Sequence, residues 1–137
     1  KRTAPYPSMI TFDGGAREVC VIRRIRTNTP LQALTSLNDS SYIIMARSFA
    51  KSMENVKGPI EAKIKTGYEQ MMYKPIAANK LNALTSLYQS SLSKYQSNKK
   101  AANILVSDST LDSPTNRAAL VVVANAMLNL DEWLNKN

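Results

Sequence analysis

The run Ala118-Ala119-Leu120-Val121-Val122-Val123-Ala124-Asn125-Ala126-Met127-Leu128 constrains the fold more than any other part of the chain. It is apolar on nearly every side of a 3.6-residue helix, and such a helix has to be enclosed by others. Pro114 stands where a helix starts, because proline at the first helical position forfeits no needed amide donor. A helix from about Pro114 to Asn129 is therefore predicted as the central spine. An unpaired carboxylate at Val122 is expected to unfold the domain.

The segments that could enclose this spine are also helical in pattern. Thr29 reads as an N-cap and Pro30 as a first helical residue, with Leu31, Leu34 and Leu37 on one side. Asp39 caps a second helix, roughly Ser40 to Val56, whose buried stripe is Tyr42, Ala46, Phe49, Met53 and Val56. Pro59 opens a third, with Ile60, Ile64, Tyr68, Met71 and Met72 on one face. A long fourth, about Ala77 to Ser97, carries Leu81, Leu84, Tyr88, Leu92 and Tyr95. A short fifth runs from about Lys99 to Val106, and a last short one follows Asp131 as cap, with Trp133 as anchor. Leu31–Leu37 and Leu81–Leu87 agree at six of seven positions, but one copy starts at a proline cap and the other lies inside a helix. They are read as two leucine stripes, not a duplication.

Residues 1–28 differ in character. Pro5 and Pro7 oppose helix, Gly14-Gly15 marks a turn, and Val19-Cys20-Val21-Ile22 is β-branched and apolar. This part is predicted as an extended arm on a helical bundle formed by residues 29–137, within one domain of 137 residues. The fold expectation is all-α, an irregular bundle of five to seven helices. The opening Lys1-Arg2, with no initiator methionine, is expected to lie inside a longer protein.

The net charge is +8, of which +4 falls in residues 1–26. Asp13, Arg17, Glu18, Arg23, Arg24 and Arg26 are the candidate interdomain or anion-binding group. In an extended segment Arg24 and Arg26 point one way and Arg23 the other. One reading is an ion-pair belt holding the arm to the bundle; the other is a groove for an anionic or sugar substrate, completed by a preceding domain. Thr29 and Asn28 are read as capping groups, and Cys20 as a small buried hydrophobe. Elsewhere basic residues alternate with acids.

With one cysteine and no histidine, an internal disulfide, a His-based nucleophile pair and a haem attachment motif are excluded, and a zinc site is not expected. The methionine and tyrosine stripes are read as core. No catalytic residue and no cofactor or metal ligand is assigned. A helix–turn–helix outline around Thr29–Ala50 places Tyr42, Ile43, Ile44 and Met45 where base-reading side chains belong, so no nucleic-acid partner is expected. No apolar run is long enough to span a membrane.

The blocks "KRTAPYPSMITFD", "REVC", "RRIRTNTPLQAL", "LND" and "AALVVVANAMLNLDE" together resemble the C-terminal domain of unknown function that follows planctomycete-type cytochrome c modules. The resemblance runs from end to end and is least diagnostic over about 57–112. Gly14-Gly15 and Ser40 are mild departures from it. It implies the tail of a large exported protein, in the periplasm or cell envelope. Any haem c would sit elsewhere in the parent, and the preceding domains of the same polypeptide would be the partners. It transfers no activity. Two functions follow as expectations: a non-catalytic interaction or scaffolding domain, or part of an active site completed by the preceding domain.

Overall fold

The computed structural model describes residues 30–108 and 114–134. Among them the fold is all-α: seven helices form an irregular bundle. They are α1 (Pro30–Asn38), α2 (Ser40–Glu54), α3 (Ile60–Met72), α4 (Ala78–Ser97), α5 (Lys99–Val106), α6 (Pro114–Leu128) and α7 (Asp131–Leu134). The expected arm, residues 1–28, lies outside the described residues.

The joints follow local chemistry. A single residue, Asp39, separates α1 from α2; its extended backbone ends one helix and its carboxylate starts the next. Between α2 and α3, Gly58 takes a positive φ of 118°, which leads the chain into Pro59. Helix α3 closes on Tyr73 in the left-handed conformation, and its amide bonds back to the Glu69 carbonyl at 2.9 Å. Asn98 serves twice, ending α4 and capping α5 through an Ala101 amide that donates to its side chain at 3.1 Å. Ser107, also left-handed, ends α5.

Helix α6 is the hub, packed chiefly against α2 and α4 and then against α5. The main core joins Ala46, Ala50 and Met53 of α2, Ile64, Tyr68 and Met71 of α3, and Leu84 of α4 to Leu120, Val121, Val123, Ala124, Met127 and Leu128 of α6. Alanines at 46 and 50 carry nothing beyond Cβ, which lets α2 come close to α6. A smaller cluster of Ala102, Val106 and Ala118 seals α5 to the start of α6. Each large apolar side chain enclosed in this way contributes roughly 1.5–3 kcal/mol.

One expectation about faces needs correction. Val122 is only half-buried, whereas its neighbours Val121 and Val123 are enclosed. Val122, Asn125, Ala126 and Asn129 fall at i, i+3, i+4 and i+7, and together form one strip that the surrounding helices leave partly open. The strip is polar at Asn125, which donates to the Leu37 carbonyl at 3.1 Å and ties α6 to the end of α1. Helix α1 turns two of its leucines outward. Leu34 and Leu37 do not face the core; they are exposed, while Gln32 and Ser36 are buried.

Candidate functional site

Helix α1 is inverted relative to an ordinary amphipathic helix. Ser36 is fully buried and donates its hydroxyl proton to the Gln32 carbonyl one turn back, at 2.9 Å, so the inward hydroxyl is satisfied. Gln32 is 3% exposed. On the opposite side Leu34 is 58% exposed and Leu37 is exposed as well. The same outward apolar character continues in α2, where Ile44 is 61% exposed and Met45 is also open. Ile44 lies nearly opposite the Ala46–Ala50–Met53 stripe that meets the core. Helix α1 carries no charged residue at all. A solvated helix face is normally polar, and this one is apolar.

A second feature is a basic pocket of about 250 Å³ between α2, the end of α5 and the first turn of α6. Its lining includes Arg47 and Lys51 from α2, Ser107 and Asp108 after α5, and Arg117 from α6. Arg47 donates from Nε to the Leu105 carbonyl at 2.6 Å and from Nη2 to the Ile104 carbonyl at 3.2 Å, capping the negative end of α5. Arg117 donates from Nε to Glu54 Oε2 at 2.7 Å and from Nη1 to Asp108 Oδ2 at 3.1 Å. Its side chain is 15% exposed.

A third cluster fixes α7. Glu132 accepts from the Tyr68 hydroxyl at Oε2 and from the Lys80 ammonium at Oε1, and the Lys74 ammonium lies 3.3 Å from Oε2. Hydrogen bonds from Lys80 foremost and then from the Tyr68 hydroxyl hold the Glu132 carboxyl down at about 2, against the opposing effect of its partial burial. Burial first, and then Glu132 itself, pushes the Tyr68 phenol up to about 12. The cluster is a structural clamp between α3, α4 and α7. Among the described residues no group of His, Cys, Asp and Glu gathers as a metal site would, and no helix is long and apolar enough to cross a membrane.

Of the residues singled out from sequence, Asp13, Arg17, Glu18, Arg23, Arg24, Arg26 and Thr29 lie outside the described residues, as do Cys20 and Asn28. Asp39 Oδ1 accepts the Ser41 amide at 2.7 Å as the cap of α2. Asp131 is the first residue of α7. Sequence reasoning missed the pocket and the Glu132 clamp. One signal was available: Arg117 sits in the first turn of a helix, where the helix dipole disfavours a cation. A residue placed against that preference points to acidic partners elsewhere, here Glu54 and Asp108.

The family PSD1, described as "Protein of unknown function (DUF1553)", matches residues 1–88. The chain belongs to this family. The part of this PSD1 chain that matches ends within α4, so it contains α1 and α2 with their outward apolar residues. The hub α6 lies beyond it. Comparison with curated proteins and with solved structures gives no match.

Proposed function

We propose that this chain is a non-catalytic helical interaction domain at the C-terminus of an exported, haem c-associated multidomain protein, and that it docks on the preceding domains of the same polypeptide. The observation that carries the reading is the inversion of α1, with Gln32 and Ser36 inside and Leu34 and Leu37 outside. Covering those leucines with Ile44 and Met45 removes four large apolar side chains from water, at roughly 25 cal/mol for each Å² buried. The preceding domains are the favoured occupant because α1 directly follows residues 1–29, so the face stands beside the point where the chain arrives from its N-terminal side. The exported setting and the haem association are supported by the sequence resemblance alone. No cofactor is assigned to this chain, and nucleic acid is not a proposed partner.

The test is co-expression with the polypeptide encoded immediately before Lys1. The double variant Leu34→Asp/Leu37→Asp is expected to lose co-purification. Its own melting should stay close to the parent's, because changes at exposed positions cost about 0.5 kcal/mol or less. Retained co-purification would refute the proposal. A large loss of stability in the variant alone would show that the leucines make contacts within this chain.

A further inference from the structure

We propose that the pocket between α2, α5 and α6 binds a tetrahedral oxyanion, the phosphate or sulfate group of a small ester. Its lining carries three cations, Arg47, Lys51 and Arg117, against one carboxylate, Asp108; with Glu54, which pairs with Arg117 from outside the lining, one positive charge is left in excess. Arg47 and Lys51 stand one turn apart on α2, a like-charge spacing that by itself is unfavourable. An anion between them reverses the sign of that interaction.

The two guanidinium groups are anchored before any ligand arrives. Arg47 is held by the Leu105 and Ile104 carbonyls, and Arg117 by Glu54 and Asp108. A guanidinium has five N–H donors, so each retains donors beyond the two used. Donors fixed in this way lose little side-chain freedom on binding. Lys51 supplies the uncommitted charge; no ion pair engages it among the described residues. Arg47 also neutralises the terminal carbonyls of α5, which would otherwise repel an anion. Val106 and Val121 give the pocket an apolar wall. Its volume of about 250 Å³ is several times the ~30 Å³ share of a water molecule, which leaves room for the organic part of an ester.

The experiment uses the full chain and three sodium salts, phosphate, sulfate and chloride, at equal ionic strength. Binding is followed by amide chemical shifts and by melting temperature. Phosphate, sulfate or both should bind saturably, with shifts centred on α2 and the start of α6, and chloride should not. Lys51 is exposed, so Lys51→Met should keep its circular dichroism while binding about tenfold more weakly, as the loss of a charged hydrogen bond implies. Lys51→Arg should bind within a few-fold of the parent. Lys65→Met, an exposed lysine on α3 outside the lining, should bind like the parent. Response to phosphate alone or sulfate alone names the ester. The proposal is overturned if both anions act like chloride, if Lys51→Met binds like the parent, if Lys51→Arg binds no better than Lys51→Met, or if Lys65→Met loses as much as Lys51→Met.

Discussion

The Tyr68 hydroxyl, on a side chain only 1% exposed, donates to Glu132 at 2.5 Å across 64 residues of sequence. This bond and the two lysines join α7 to α3 and α4. The Glu132 carboxyl is held below its ordinary value of 4.5, at about 2, so its charged form is stabilised by folding. That contribution is complete above about pH 4.5 and is lost as pH falls towards about 2. Tyr68 behaves in the opposite sense at the alkaline end. Its phenol is raised from 10.0 to about 12, so the folded state favours the neutral form, and stability falls as pH rises through that interval. Tyr68→Phe should remove the alkaline effect and shrink the acid one, with a loss of about 1–2 kcal/mol at neutral pH. Urea melts of both proteins from pH 2 to 7 and from pH 9 to 12 check this. A parallel acid profile in the variant would show that Tyr68 does not hold the carboxylate down.

Gly67 gives a packing prediction. A Cβ placed there would lie 2.8 Å from Met53 Cγ and 3.0 Å from its Sδ. Met53 is fully buried, so its side chain has to repack within the core to make room. Gly67→Ala gains about 1 kcal/mol of helix propensity, but overpacking costs about 1–3 kcal/mol, so a net loss of about 1 kcal/mol is expected. In a Met53→Ala background the clash is gone, and the same change should be neutral or stabilising. Chemical denaturation of the four proteins in this cycle checks the coupling.

The hub helix should discriminate between adjacent valines. Val123→Asp places an unpaired carboxylate in the core, at a cost of several kcal/mol against a total of about 5–15 kcal/mol, and should unfold the chain. Val122→Asp lies on the strip with Asn125 and Asn129 and should cost about 1 kcal/mol. Circular dichroism and thermal melts separate the two outcomes. Unfolding by both variants would mean that the strip is closed in solution.

Much of the bundle was legible from sequence because its joints are punctuated by residues with local roles. Pro30, Asp39, Pro59 and Pro114 placed helix starts, and Lys99–Val106 was bounded to the residue. The α6 run revealed its burial because few helices are apolar on so many sides. The direction of the α1 stripe was not legible. Leucines at i, i+3 and i+6 define a face, but periodicity does not say whether that face meets this domain or another body. The pocket and the clamp were hidden for a different reason. Arg47 meets Leu105 across 58 residues, and Arg117 meets Glu54 across 63, so neither pair leaves a local pattern. Glu132 had shown only as part of a short terminal helix.

Arg117 supports a fourth prediction. It lies between Glu54 and Asp108 and is 15% exposed. Arg117→Met keeps much of the apolar stem but strands two half-exposed acids, with an expected loss on the order of 2 kcal/mol, discounted from the buried case for solvent screening. Pairing with Glu54 should make Arg117→Met and Glu54→Gln non-additive in urea melts. Strict additivity would show that the Arg117–Glu54 contact carries no energy.

The most direct test of the docking proposal is amide hydrogen exchange over residues 30–45, measured in this chain alone and in the proposed longer polypeptide that carries preceding domains. Slower exchange around Leu34, Leu37 and Ile44 in the longer protein, with α3 unchanged, is the predicted result. Identical exchange in the two would contradict the assignment of the α1–α2 face as the interdomain surface.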